Sequence, residues 1–460
     1  MPITRRQLLA AAATTPFLSG ASLQDEGWKV SSFRLDITCP VGHPLLGRRQ
    51  GVAREIISPL YAYGAVLLGA GKPIVIAAID WCEIRNDAYD SWRQVIATAV
   101  GTTPERVILS CVHQHDAPLV DLTAQRLLDA VGMKGEMFDP AFFQETGKRI
   151  ATAARESLAN AHRLTHLELS QARVKQIASN RRIETAAGTV SFDRGSNGAR
   201  TTAYRDAPEG LIDPWLKTIT LCNGNRRLIS LSCYATHPMS YYGKGGVNAD
   251  FVGIARELRR REDPDVSHIY LSGCSGDVTG GKYNDGTPAN RAILADRLLR
   301  AMRESSRQVR RHRIEQIAFR NTKLDLTYRS DQPYTTAAMT RVLEDTNAAR
   351  KARVLAAMGL STQAHLAQGH KIDVPCLDFG PAQMVLLPGE SFVGYQLMAQ
   401  RTRPDSFVMS VGYGQCWPGY LPTDSAFKDG FDGFWLWVDP GAEPRIQEAL
   451  RKVLLPSGTR

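Results

Sequence analysis

The chain has 460 residues, enough for one large or two ordinary domains, and 43% of them are hydrophobic and 22% charged, as in globular proteins. Beyond the N-terminus there is no run of roughly 18 apolar residues, which excludes a transmembrane helix. The net charge of +10 comes from dispersed arginines, with clusters at 259–261 and 310–313 near the ends of predicted helices. We favour a solvated surface, keep peripheral membrane contact as an alternative, and expect no nucleic-acid partner.

The N-terminal segment is typical of an export signal. Arg5 and Arg6 precede a mildly apolar stretch from Ala10, and small residues follow up to Ala21. The paired arginines favour the twin-arginine route over the Sec route, so we expect residues 1–25 to direct the protein to the periplasm or outside the cell. Eight cysteines, the first at Cys39, form no CxxC pair, which argues against a cysteine-based zinc site. The sequence assigns no disulfide.

From about residue 30 the chain alternates between strand and helix. Apolar runs predict strands over 73–81 and 106–111, and a helix over 86–100 ends before Gly101. A second helix is predicted over 139–161, and 180–210 is a polar, glycine-rich irregular region. Residues 216–222 and 228–235 resemble a hairpin. Further helices are predicted over 250–261, 289–307, 335–358 and 392–400, and further strands over 267–272, 383–387 and 406–411.

This order predicts an α/β fold with mixed, partly parallel β-sheets and flanking helices. No internal repeat or low-complexity linker divides the chain. We therefore expect a single large catalytic domain over residues 30–455.

Polar side chains collect where several predicted strands end. His113 and His115 follow one strand, His237 follows another, and Glu390 follows a third. In open α/β sheets, functional groups gather beyond the carboxyl ends of strands. Histidine and carboxylate are common zinc ligands, so His113, His237 and Glu390 are candidates for a hydrolytic zinc site.

The motifs at these positions resemble those of the neutral/alkaline, non-lysosomal ceramidases. The matching blocks run in the family's order from about residue 30 to 440. They are Ser110-Cys111-Val112-His113-Gln114-His115, His237-Pro238 with Asn248-Ala249-Asp250, Gly276-Asp277-Val278-Thr279, Pro388-Gly389-Glu390 and Asn180-Arg181-Arg182.

The resemblance implies a Zn²⁺ ion held by His113, His237, Glu390 and Tyr420. It also implies that His115 and Arg181 handle the amide and its developing oxyanion, and that Thr279 stands where the family has a nucleophilic or substrate-orienting serine. Thr279 has an alternative role, because its hydroxyl can instead cap a turn. We further expect Asp80 to orient a ligand histidine.

Three departures from the family bear on the substrate. Thr279 stands where the family has a serine, and Gly280-Gly281 stands where it has Pro-Asn. Phe431 stands where the family has a second tyrosine in the last loop. The C-terminal immunoglobulin-like domain of the family is expected to be absent. The resemblance implies a zinc-dependent hydrolase that cleaves the amide of ceramide or a related N-acyl lipid. Two alternatives stay open: a non-catalytic, zinc-containing lipid-binding protein, and an amidase or esterase for another N-acylated or sugar-like compound. The oligomeric state is left open.

Overall fold

The described part of the chain contains three larger β-sheets, each with one pair of neighbouring parallel strands. The computed structural model describes residues 27–185, 188–433 and 435–455, so the predicted export signal lies outside it. The first sheet has the spatial order Val107–Cys111, Ile74–Ile79, Tyr61–Leu68, Lys29–Asp36, His162–Arg163. Within it, the first two strands run parallel and the others antiparallel.

The other two sheets repeat this arrangement. The second has the order Ser267–Ser272, Arg226–Tyr234, Trp215–Asn223, His166–Arg173, Arg310–Arg313, and its first two strands are parallel. The third has the order Ala318–Leu324, Ile372–Asp378, Ala382–Leu386, Phe407–Val411, and its last two strands are parallel. Two-residue strands pair as Ser179–Asn180 with Val278–Thr279, Ile183–Glu184 with Val190–Ser191, Gly246–Val247 with Glu55–Ile56, Glu390–Ser391 with Tyr420–Leu421, and Glu83–Ile84 with Leu119–Val120.

Helices cover the outer faces of these sheets. The α-helices of the described residues are Asn86–Val100, Leu122–Ala130, Pro140–Ser157, Thr202–Asp206, Asp250–Glu262, Pro288–Ser305, Thr336–Glu344, Arg350–Ala367, Val393–Thr402, Asp424–Lys428 and Ala442–Leu454. Short 3₁₀ turns occupy Pro104–Arg106, Leu158–Asn160 and Gly198–Arg200. Among these helices, none has both the length and the hydrophobicity required to cross a membrane.

The strand Ile74–Ile79 shows how the core is built. Side chains alternate across a strand, so Val75, Ala77 and Ile79 join one hydrophobic cluster, whereas Ile74, Ile76 and Ala78 join another. Both faces are buried, which explains the uninterrupted apolar run in the sequence. The predicted mixed α/β class and the single domain are confirmed.

One local prediction was wrong. The helix expected over 335–358 is divided into Thr336–Glu344 and Arg350–Ala367. Between them, Asp345 accepts a hydrogen bond from the Asn347 amide at 2.8 Å, a local turn that competes with helical bonding. The arginines at 310–313 follow the helix Pro288–Ser305 and form an edge strand, where Arg311 pairs across the sheet with Glu168 at 3.0 Å.

Candidate metal centre and catalytic cavity

The three predicted ligands follow strands that belong to the parallel pairs of the three sheets. His113 follows Val107–Cys111, His237 follows Arg226–Tyr234, and Glu390 follows Ala382–Leu386. Parallel strands place their carboxyl ends at the same edge, which brings these exits together. The edges are bonded directly to one another: Cys111 N donates to Tyr413 O at 3.0 Å, Gly412 N donates to Ser272 O at 2.9 Å, and Ser272 Oγ donates to Val112 O at 2.8 Å.

Backbone carbonyls fix the tautomers of three histidines. His113 Nδ1 lies 2.9 Å from Cys82 O, His237 Nδ1 lies 2.5 Å from Ser275 O, and His115 Nδ1 lies 3.2 Å from His113 O. A carbonyl oxygen can only accept, so each Nδ1 carries a proton, and in the neutral imidazole Nε2 retains its lone pair. A carbonyl that accepts a hydrogen bond from Nδ1 is the kind of partner that orients a metal-ligating histidine.

The two histidines predicted as ligands converge on the Glu390 carboxylate. Glu390 Oε2 lies 2.9 Å from His237 Nε2 and 3.6 Å from His113 Nε2. The ligand atoms of these three residues lie within 4.8 Å of one another, and all three side chains are buried. His113 Nε2 is buried without a hydrogen-bond partner. Two neutral nitrogen donors and one carboxylate form a ligand set that fits zinc, and the partnerless nitrogen is the atom that a cation would engage.

The protonation of this cluster is consistent with that fit. Burial opposes ionisation of Glu390, but attraction to His113, whose own pKa is raised, and hydrogen bonding to both imidazoles hold the pKa of the carboxyl well below its ordinary value. Burial lowers the pKa of His237 to about 4, with Arg181 adding to the effect and Glu390 opposing it. At neutral pH the centre therefore combines an ionised carboxylate with an imidazole lone pair.

A glycine is required beside Glu390. Gly389 has a φ of +51°, and a Cβ there would lie 2.7 Å from Gly419 O. This close approach lets Glu390 N donate to Gly419 O at 2.8 Å and pairs Glu390 with Tyr420 across two short parallel strands. The Pro-Gly-Glu motif thus brings the carboxylate ligand and Tyr420 side by side.

A cavity of about 210 Å³ opens over the centre. It contains the predicted residues His113, His115, Arg181, Glu390 and Tyr420 in its wall. Its other lining residues are Leu46, Arg49, Gln50, Cys82, Gly195, Ser196, Met239, Tyr242 and Trp435. His237 lies beneath them, and Arg181 Nη2 approaches its Nε2 to 3.5 Å.

Thr279 does not belong to the set of cavity-lining residues. Its side chain is fully buried, and its hydroxyl accepts a hydrogen bond from Gly281 N at 3.1 Å. This contact matches the turn-capping alternative. The catalytic role stays a prediction.

Phe431 packs within a group of aromatic rings that includes Tyr420. The Phe431 ring contacts Tyr420, Phe392 and Phe192 edge to face, with centroids 5.0–5.6 Å apart.

The expectation that Asp80 orients a ligand histidine was wrong. Its carboxylate binds Arg256 through two bonds of 2.8 and 2.6 Å and also accepts from Gln114, while backbone carbonyls orient both histidines.

Sequence reasoning missed Tyr413, which supports both histidines. Its ring stacks on His113 at 4.2 Å, and its hydroxyl lies 2.7 Å from Ser275 Oγ and 3.4 Å from His237 Nδ1. Both His113 and Tyr413 have positive φ values, of 75° and 57°, a strained conformation for non-glycine residues. Tyr413 comes just after the strand Phe407–Val411, as the predicted ligands come just after theirs. This position is the sequence signal that could have identified it.

Comparisons with known proteins rest on structure. No protein-family model and no curated sequence matches the chain. The neutral ceramidase of Pseudomonas aeruginosa matches with a TM-score of 0.67 and 15% sequence identity, over 93% of this chain and 74% of that chain. A ceramidase complexed with C2 matches with the same values. This likeness shows that the chain has the fold of these two ceramidase structures.

Proposed function

We propose that the chain is an exported, zinc-dependent amidohydrolase that cleaves the amide bond of ceramide or a related N-acyl lipid. The observation that carries this proposal is the convergence of His113, His237 and Glu390 at the floor of a cavity, with the buried Nε2 of His113 lacking a partner. The fold shared with solved ceramidases supports the substrate class.

His113, His237 and Glu390 would hold the zinc, and Tyr420 would complete the set from the neighbouring short strand. When bound, zinc supplies Lewis-acid chemistry, which polarises a carbonyl and lowers the pKa of water. The carboxylate and the neutral imidazoles match the ligands that zinc takes in hydrolases.

The remaining wall residues would serve the substrate. Amide hydrolysis adds the hydroxyl of water to the acyl carbon and a proton to the departing nitrogen. His115 keeps Nε2 open, because its Nδ1 is committed to His113 O at 3.2 Å, so it can accept the proton from water and pass it to the amine. Arg181 brings a fixed positive charge beside His237, where negative charge would develop on the carbonyl oxygen.

The cavity suits an amphiphilic substrate. Leu46, Met239 and Trp435 offer apolar surface, and Gln50 and Tyr242 offer polar groups. Its volume of about 210 Å³ is below the roughly 300–1,000 Å³ of pockets that enclose a drug-sized ligand. We therefore propose that the amide and its polar neighbours enter the cavity, while a long acyl chain extends beyond it along the surface or into a membrane.

The test is a substrate screen of the zinc-loaded protein. Ceramides of several acyl lengths, N-acyl amino acids, N-acyl sugars and matched esters would be supplied, and free fatty acid and amine would be quantified. We expect turnover of N-acyl lipids that is lost in a His113→Ala, His237→Ala double variant. Turnover confined to esters or N-acyl sugars would overturn the substrate class. A folded, zinc-loaded protein that hydrolyses none of these compounds would overturn the enzymatic proposal and favour a lipid-binding role.

A further inference from the structure

A second cluster of metal-ligating side chains lies away from the cavity. It consists of Asp90 on helix Asn86–Val100, His365 in the last turn of helix Arg350–Ala367, and His370 in the turn that follows. Asp90 Oδ2 lies 3.7 Å from His365 Nε2 and 3.5 Å from His370 Nδ1. The ligand atoms of the three residues lie within 4.8 Å of one another, as do those of the first centre.

We infer that Asp90, His365 and His370 form a second binding site for a divalent transition metal such as Zn²⁺. Ligands bonded to tetrahedral zinc at about 2.0–2.1 Å stand about 3.4 Å apart, close to both observed nitrogen–oxygen separations. Two imidazoles and one carboxylate leave a position for water. The side chain of His370 is 44% exposed and that of Asp90 is 34% exposed, so water and the ion can reach the cluster.

Gln415 contacts the cluster through Asp90. Its Nε2 lies 3.5 Å from Asp90 Oδ1, and its Oε1 is buried without a hydrogen-bond partner. The residue is only 7% exposed, so water does not readily satisfy that oxygen. The hydrogen bond from Nε2 ties the loop that carries Gln415 to the carboxylate of the cluster.

The imidazoles must adjust slightly when the ion binds. The two rings are stacked with centroids 4.0 Å apart and planes 11° apart, whereas a shared ion requires one ring to tilt. His370 can make this movement because its side chain is 44% exposed and it lies in the loop before strand Ile372–Asp378. His365 is held by its helix and is only 7% exposed.

Occupancy of this site would connect two helices with a loop that supports the first centre. The ion would join the two helices, and Gln415 lies in the loop whose carbonyl accepts a hydrogen bond from Gly389 N at 3.0 Å. Gly389 directly precedes Glu390. The second site would therefore stabilise the loop that holds a ligand of the first centre, without contacting the substrate cavity.

Zinc titration of the metal-free, full-length protein by calorimetry tests this inference. We expect two equivalents per chain in the wild type, one in His370→Asn and one in Asp90→Asn. The exposed His162→Asn serves as a matched control and should keep two. In the His113→Ala, His237→Ala variant, the second equivalent should remain.

Two results would overturn the inference. One is a wild-type stoichiometry of one that falls to zero in the His113→Ala, His237→Ala variant. The other is a second equivalent that persists in both His370→Asn and Asp90→Asn. Because the measurement is a stoichiometry, a protein that binds the second ion but hydrolyses no lipid would refute the proposed function alone. Since His370 is exposed, its replacement should not prevent folding, which circular dichroism would verify.

Discussion

His237 and Glu390 stand 153 positions apart in the chain, yet His237 Nε2 lies 2.9 Å from Glu390 Oε2. Both atoms are acceptors, because Nδ1 of His237 already donates to the Ser275 carbonyl and the imidazole pKa is lowered to about 4 by burial. Two buried acceptors at this distance repel unless a cation or a shared proton lies between them. A metal ion bound at this point relieves the repulsion.

Removal of zinc should destabilise the protein. A ligand that binds only the folded state at 1,000 times its dissociation constant contributes about 4 kcal/mol. We expect chelation to lower the melting temperature and the addition of Zn²⁺ to restore it. The His113→Ala, His237→Ala variant should lose the equivalent of zinc bound at this centre, as measured by elemental analysis after dialysis, and chelation should lower its melting temperature less than that of the wild type. Dialysis-resistant zinc at the wild-type level in that variant would refute the ligand assignment.

Arg181 should matter for turnover rather than for metal binding. Removing one positioned charge that stabilises an oxyanion costs on the order of 10²–10³ in kcat. We expect Arg181→Gln to show this loss while its zinc content stays unchanged. Arg182→Gln is the matched control, because Arg182 pairs with Asp429 at 2.6 Å and does not line the cavity. Equal kcat values for the two variants would remove Arg181 from the proposed mechanism.

Thr279→Val distinguishes the two roles of the hydroxyl. Valine keeps the branched shape and removes only the oxygen that accepts from Gly281 N. From this contact we expect a loss of about 1 kcal/mol in the free energy of unfolding, and a loss of turnover of less than about tenfold. Thr279→Ser should retain both properties. Near-complete loss of turnover in the valine variant, with zinc still bound and the fold intact, would instead support the catalytic role implied by the family resemblance.

Protonation of His268 should destabilise the folded protein when the pH falls below neutral. Burial lowers its pKa to about 4, with Arg259 reinforcing the effect and Asp263 opposing it. The folded state therefore favours neutral imidazole, and the unfolded chain takes up the proton first. The contribution of this residue is complete above the ordinary value of 6.5, and it is lost as pH falls from 6.5 to about 4. The loss is on the order of 3 kcal/mol.

Denaturant unfolding at several pH values measures this effect. His268→Gln should show a shallower decline between pH 6.5 and 4 than the wild type does, by about the slope of one proton. The exposed His162→Gln is the control and should follow the wild type. Parallel curves for wild type and His268→Gln would show that this histidine does not titrate differently in the two states.

The export signal has its own test. Replacing Arg5 and Arg6 by lysine should block export if the twin-arginine route is used. Cell fractionation followed by N-terminal sequencing of the exported protein would measure both the route and the expected cleavage near residue 25. Unchanged export of the double-lysine variant would point to the Sec route.

The amino-acid sequence by itself determined the elements and the ligand types. Apolar runs marked buried strands such as Ile74–Ile79, the Asn-Gly-Asn turn placed the hairpin of Trp215–Asn223 and Arg226–Tyr234, and strand exits marked His113, His237 and Glu390. These signals are local, because periodicity and turn chemistry act over a few residues. The family resemblance added Tyr420, His115 and Arg181, which the structure places in one cavity.

The tertiary structure alone decided how these groups meet. The sequence contains no signal that three sheets join through Cys111, Ser272 and Gly412, or that Cys82 and Ser275 supply the carbonyls that orient the histidines. Nor did it indicate that Asp90 would meet His365 and His370, which belong to segments some 275 positions away. Contacts of this kind depend on long-range packing of whole elements, whereas sequence patterns report only on the neighbourhood of each residue.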